Sequence, residues 1–193
     1  MHNARRMIYN APRMNINNRL TNILSASAVA ICSAIEQATT NACCLGQSDT
    51  DALLMVVQWP GGTLQSFAEA LSLSQPATVR LIDRLEQNGF VLRREGEKGH
   101  AIALYPTEKG KRLAAKALAA RQEALNHLFA NVSPKDAEAL DRFATAVLTR
   151  ATCSGADGDR VCRLCCENDC PNEKCPVYQQ QVKDPKYKSR GWI

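Results

Sequence analysis

The chain has 193 residues, 45% of them hydrophobic, which is enough for one domain with its own core and short appendages. Nine cysteines, an odd number in a chain of this size, argue against an extracellular disulfide scaffold and favour reduced thiols or a bound metal. The net charge of +5 favours a polyanionic partner, and the aromatic content of 5% disfavours single-strand binding by base stacking.

The N-terminal part of the chain predicts a tail and a long helix. Residues 1–16 show no periodicity and predict a flexible tail. Apolar residues recur every three or four positions over residues 17–42, which predicts an amphipathic helix in which Cys32 is a small buried hydrophobe. This start loosely imitates a secretion signal, but Thr21 and Asn22 interrupt its apolar stretch. Since no run of about 18 apolar residues exists, we exclude a membrane span on length and expect a cytoplasmic protein with no membrane partner.

Three predicted helices follow at close spacing. The first begins after an N-cap at Ser48 or Asp49 and ends before Pro60. Thr63 caps a short second helix, and Ser74 caps a third that carries two arginines on one face. A short helix, a tight turn and a second helix in this order are typical of a helix-turn-helix.

Two short runs, FVLRRE and AIALY, flank the polar tip GEKGH and predict a β-hairpin beside the third helix. The fold class is therefore mainly α with a small β-wing, a winged helix-turn-helix at about residues 50–112. Its second helix would enter the major groove of double-stranded DNA, and the wing would follow the backbone. The candidate DNA-binding residues are Ser74, Gln75, Pro76, Thr78, Arg80, Arg84, Arg93, Arg94, Lys98 and His100. Arg80 and Arg84 also fit a solvated face paired with Asp83 or Glu86.

The C-terminal part predicts two long helices and an extension. One helix restarts at Thr107, and Ser133 caps the next, in which a proline follows in the first turn. Residues 153–160 predict a linker, residues 161–177 contain a cysteine cluster, and residues 178–193 predict a polar tail.

The cysteine cluster has the spacing C-x2-C-x4-C-x4-C. Its candidate metal ligands are Cys162, Cys165, Cys170 and Cys175, with Cys166 as a spare. Thiolates select zinc, Cu(I) or iron–sulfur clusters. The spacing equals that of a zinc knuckle with cysteine in place of histidine, which predicts structural zinc, and the Cys-Pro ending also fits an iron–sulfur redox sensor. A metal-free alternative is thiols that oxidise to disulfides. We prefer zinc slightly over an iron–sulfur cluster.

The stretch LSLSQPATVRLIDRLEQNGFVLRR, followed by LYPTEKGKRL, resembles the MarR (multiple antibiotic resistance regulator) family from about residue 20 to residue 148. The resemblance implies a domain over residues 17–152 in which dimerisation helices at about 17–45 and 107–152 interleave in a homodimer. Such a dimer would hold two winged domains over a palindromic operator. The resemblance also implies repression that a small-molecule effector or cysteine oxidation relieves.

Two positions depart from the pattern of that family. The wing sequence EGEKGH is shorter and places His100 near the position where many relatives have an arginine. Ser72 replaces the glycine often seen in the turn. We expect a sequence-specific transcriptional regulator, with a non-promoter nucleic-acid-binding protein carrying a zinc-knuckle-like module as the alternative. An enzyme is not expected, because the sequence has no paired acid and base, no nucleophile elbow and no Gly-rich nucleotide loop.

Overall fold

The computed structural model describes residues 17–96, 102–165 and 170–185. In this part of the chain, α1 spans Asn18–Cys43, α2 Gln47–Gln58, β1 Gly62–Thr63, α3 Leu64–Leu71, α4 Gln75–Gln87, β2 Val91–Glu95, β3 Ile102–Pro106, α5 Glu108–Leu128, α6 Pro134–Ala151, α7 Gly155–Cys162 and α8 Pro176–Gln181. The predicted N-terminal tail, the end of the polar tail, Cys166, and the wing tip with Lys98 and His100 lie outside the described residues.

Helix α1 confirms the predicted long helix and packs along α5. The Asn17 side chain accepts a hydrogen bond from the backbone N–H of Leu20 at 2.8 Å and so caps the helix. Most of α1 is exposed, including Cys32, which corrects the predicted burial of that thiol. With a mean hydropathy of 1.2, α1 is also long and apolar enough to cross a membrane, which corrects our exclusion of a span on length. The core helix of a soluble protein or a signal sequence passes the same test.

The predicted helix-turn-helix forms from α3 and α4. Thr63 and Ser66 form a capping box at the start of α3, in which each side chain bonds the other residue's backbone N–H. The turn contains Ser72 at a φ of +56°, a left-handed conformation that explains why glycine suits this position better. Gly89, at a φ of +72°, follows the end of α4.

The core of the domain lies among α2, α3, α4, α5 and the sheet. Its largest side chains with almost no exposure are Leu53, Leu54, Met55, Phe67, Leu81, Ile82, Leu85 and Leu104. The sheet is antiparallel with the strand order β1-β3-β2, and Leu92 of β2 lies opposite Tyr105 of β3. This sheet fixes the wing to the base of the helix-turn-helix.

The junction between α4 and α5 is held by backbone hydrogen bonds around Phe90. The Thr107 hydroxyl donates to the Gly89 carbonyl at 2.7 Å, and the Thr107 N–H donates to the Phe90 carbonyl at 3.0 Å. Gly110 lies directly against Phe90, so a Cβ at this position would overlap the Phe90 carbonyl oxygen. This close approach therefore requires glycine at position 110, although glycine is a poor helix former.

The predicted linker at residues 153–160 is largely helical, which corrects that prediction. Ser154 caps α7 by accepting a hydrogen bond from the Asp157 N–H at 3.2 Å. Gly158 faces the buried side chain of Gln181, whose Nε2 donates to the Gly155 carbonyl at 3.1 Å. The glycines that suggested a linker thus let α7 and α8 approach closely, and the predicted polar tail begins inside α8.

Candidate functional site

The N-terminal end of α4 exposes three of the predicted DNA-binding residues. Ser74, Gln75 and Pro76 begin the helix at the protein surface. Thr78 is different, because its side chain is fully buried and its hydroxyl donates to the Ser74 carbonyl at 3.2 Å. This corrects the placement of Thr78 among the DNA contacts, since a buried hydroxyl cannot reach a base edge.

The two arginines of α4 have different surroundings. Arg84 donates to the Asp49 carboxylate at 2.6 Å and keeps a side chain that is 52% exposed. Asp83 and Glu86, the partners expected if Arg84 were part of a solvated face of α4, do not pair with it. Arg80 is exposed and forms no ion pair with any residue that the structure describes. Arg80 is thus the cation of α4 most available to a phosphate or a base edge.

The arginines of β2 also divide into two roles. The Arg93 guanidinium pairs with Asp83 at 2.7 Å and with Glu86, both on α4. Arg93 therefore fixes the wing strand to α4, and its charge is already shared by two carboxylates. Arg94 is exposed, and its guanidinium carbon lies 5.4 Å from the centroid of the Tyr105 ring. Arg94 is therefore more available than Arg93 to contact DNA.

A cavity of about 310 Å³ opens between the end of α1 and the start of α5. It is lined by Cys43, Phe90, Lys109, Arg112, Leu113 and Lys116. Burial raises the pKa of the Cys43 thiol, which keeps the thiol protonated and lowers its reactivity. The cavity lining combines apolar side chains with three cationic ones, and this combination suits a small organic anion.

The four predicted metal ligands, Cys162, Cys165, Cys170 and Cys175, lie together at the ends of α7 and α8, and we call them the thiol cluster. A hydrogen bond with Cys165, in which the Cys162 S–H donates, and burial raise the pKa of Cys162, and the charges of the other three thiolates would raise it further. Burial and a hydrogen bond with Cys175 raise the pKa of Cys170 to about 11. Cys162 and Cys170 are thus protonated at neutral pH, and the four thiols are hydrogen-bonded in two adjacent pairs.

The thiol cluster contains no disulfide, since all four members are free cysteines. In the described ranges, no group of three or more Cys, His, Asp or Glu side chains is arranged to hold a metal ion. The Sγ of Cys175 accepts a hydrogen bond from the Tyr178 N–H at 3.5 Å. The predicted ligands therefore lie as two thiol pairs and not as one metal site, and both the ligand set and its metal stay predictions.

The segment that carries Cys162 and Cys165 is bound to the helix-turn-helix domain. Arg163 donates through Nε to the Asp51 carboxylate of α2 at 2.9 Å, and its carbonyl accepts from Gln58 Nε2 at 3.1 Å. Burial raises the pKa of Asp51 although Arg163 opposes that shift. The sequence analysis missed this contact, because it joins residues 112 positions apart.

Comparisons with known proteins support the helix-turn-helix assignment. A family model described as the MarR family matches residues 45–98, which cover α2, α3, α4 and β2. No curated protein matches the chain.

Solved structures show the same fold at low sequence identity. The chain is similar to a MarR family protein from Bacillus stearothermophilus, with 21% identity, a TM-score of 0.60, and coverage of 68% of this chain and 95% of that one. It is similar to a MarR family transcriptional regulator from Rhodococcus sp. RHA1, with 20% identity, a TM-score of 0.53, and coverage of 70% and 96%. A third is the Mycobacterium tuberculosis MarR family protein Rv2887 in complex with p-aminosalicylic acid, with 20% identity, a TM-score of 0.52, and coverage of 66% and 97%. The chain therefore has the winged helix fold of MarR family regulators.

Proposed function

We propose that the protein is a cytoplasmic, homodimeric transcriptional regulator that represses from a palindromic operator and responds to the metal or redox state of its C-terminal cysteines. The observation that carries the proposal is the exposed surface of α4, where Arg80 has no described ion-pair partner and where Ser74 and Gln75 are exposed at the start of the helix. This helix would enter the major groove, with half-sites about one helical turn apart.

A second copy of the chain is the expected partner of α6. The structure describes α6 throughout, and the helix buries none of its residues. Leu140, Phe143 and Val147 form an apolar stripe on α6, with side chains 49%, 42% and 46% exposed. Exposed apolar residues also lie on α1, at Leu20 and Val29. Such faces are usually covered by a partner, and a symmetric dimer would cover both.

Selection from random duplex DNA tests the proposal directly. We expect enrichment to return an inverted repeat, and we expect Arg80→Ala to weaken binding to that duplex by about tenfold or more at fixed salt. Fluorescence anisotropy measures both affinities, and Arg142→Ala, which removes an exposed arginine of α6 that lies away from its apolar stripe, is the matched control. Failure to enrich any sequence would favour the non-promoter alternative. Unchanged affinity in both Arg80→Ala and Arg84→Ala would remove α4 from the interface.

A small organic anion is the effector that fits the cavity between α1 and α5. The related Rv2887 was crystallised with p-aminosalicylic acid, which makes this compound a reasonable probe. We expect it to weaken the operator complex, and Arg112→Ala to raise the concentration needed by about tenfold, because a charged hydrogen bond is lost. Lys111→Ala, an exposed residue outside the cavity lining, is the control. Equal responses from both variants and the unaltered protein would exclude this cavity.

A further inference from the structure

We propose that the thiol cluster binds one thiophilic metal centre and that α7 carries the state of this centre to the helix-turn-helix. The first half concerns the extension alone. The second half rests on the proposed DNA-binding function, because its effect is measured on the operator complex.

The chemistry of the thiol cluster supports a soft metal. Four thiols are hydrogen-bonded in two adjacent pairs, Cys162 with Cys165 and Cys170 with Cys175, and none is tied up in a disulfide. Thiolates prefer zinc and iron–sulfur clusters, and a metal that replaces the thiol protons would draw the two pairs onto one centre. Because the pairs lie at the ends of α7 and α8, such a centre would join the two helices of the extension.

The first thiol pair is anchored directly on the DNA-binding domain. Between Cys162 and Cys165, the Arg163 side chain reaches the buried Asp51 and its carbonyl accepts from Gln58. Leu164, the next residue, packs against the buried core cluster. The loop that would hold the metal therefore packs directly on α2. A change in the conformation of this loop would alter the contacts of Arg163 with Asp51 and Gln58.

A second contact reaches the turn of the helix-turn-helix. Arg160 of α7 donates through Nη1 to the Ser72 hydroxyl at 3.3 Å. Ser72 holds the left-handed conformation that sets the direction of α4 after α3. Glycine would have no side chain to offer here, so this serine gives α7 a hydrogen bond at the turn that orients the recognition helix.

Metal content tests the first half of the proposal on the full-length protein. Anaerobically purified protein should contain about one zinc per chain and be colourless, or be brown with an iron–sulfur cluster. Cys170→Ser should lose most of this metal, whereas Cys153→Ser, an exposed thiol outside the cluster, should keep it. A protein that is metal-free and takes up no added zinc, or that already contains the four thiols as two disulfides when isolated, overturns the metal centre.

The operator complex tests the second half. Chelation of the metal should weaken operator binding by about tenfold in the unaltered protein, a usual size for coupling between two sites. Arg163→Ala should keep its metal but lose this response, and Asp51→Asn should do the same if Arg163→Ala fails to fold. Lys174→Ala, which removes an exposed cation near the cluster, is the control and should respond fully.

The two halves fail in distinguishable ways. If no duplex binds specifically, the proposed function fails while the metal content still decides the centre. If chelation weakens the unaltered protein and Arg163→Ala equally, or changes neither, the coupling through α7 is overturned.

Discussion

Gly110→Ala is expected to lower the free energy of unfolding by about 3 kcal/mol, at the upper end for overpacking a core. A Cβ at this position would overlap the Phe90 carbonyl oxygen and would approach the Phe90 carbonyl carbon at 3.0 Å. Backbone atoms cannot rotate away as the end of a side chain can. The strain must therefore separate α5 from the end of α4, where Thr107 also holds Gly89. This outweighs the gain of about 1 kcal/mol that alanine brings to a helix interior.

Urea unfolding at one fixed protein concentration measures this effect, since the stability of a dimer depends on concentration. Gly46→Ala is the matched control, because a Cβ there would meet only the Asp49 carboxylate, at 3.8 Å. It should lower the free energy of unfolding by no more than about 1 kcal/mol, because Gly46 is the N-cap of α2, where alanine is less favourable than glycine. A Gly110→Ala protein as stable as the unaltered one would mean that α5 and Phe90 do not approach as closely as the structure has them.

The sequence predicted the helices well where their signals are local. An N-cap, a first-turn proline and a period near 3.6 act within one or two turns, so the starts at Thr63, Ser74 and Ser133 were predictable. The hairpin followed from two short runs around a polar tip. These signals need no knowledge of what lies across the core.

The wrong predictions depend on contacts between distant elements. The polar side chain of Thr78 made it a candidate DNA contact, but this side chain is fully buried in the structure. Arg93 looked like a free wing cation, yet two carboxylates of α4 bind it. Composition alone cannot weigh such partners, because charge and polarity do not say which element lies opposite.

The predictions for the C-terminal extension, from residue 153 onward, also failed where they depend on contacts with distant elements. Residues 153–160 contain two glycines and predicted a linker, whereas Gly158 is small because Gln181 packs against it. Arg160 and Arg163 hydrogen-bond to Ser72 and Asp51 on the helix-turn-helix domain, and no local sequence pattern indicates these contacts. The spacing of the cysteines indicated a cluster, because ligands close in sequence have little freedom to separate, and that cluster stays a prediction.

Phe143→Glu is expected to dissociate the dimer and to weaken operator binding by more than about a hundredfold. Each subunit would place a carboxylate in the apolar stripe of α6, and an unpaired charge in such an interface costs several kcal/mol. A monomer contacts one half-site only, so it loses the second set of phosphate and base contacts. Sedimentation equilibrium measures the dissociation, and anisotropy measures the affinity for the same duplex.

Thr145→Glu is the matched control for this prediction. It adds the same charge to α6, and at 100° per residue Thr145 lies 200° from both Phe143 and Val147, on the opposite face. The control should remain a dimer and lose little affinity, because one added negative charge acts only through screened repulsion from DNA. Circular dichroism separates loss of the dimer from loss of the fold. If Phe143→Glu is folded and still dimeric, the apolar stripe of α6 is not the interface; if it is a monomer that binds the operator as tightly as before, DNA recognition does not require two copies.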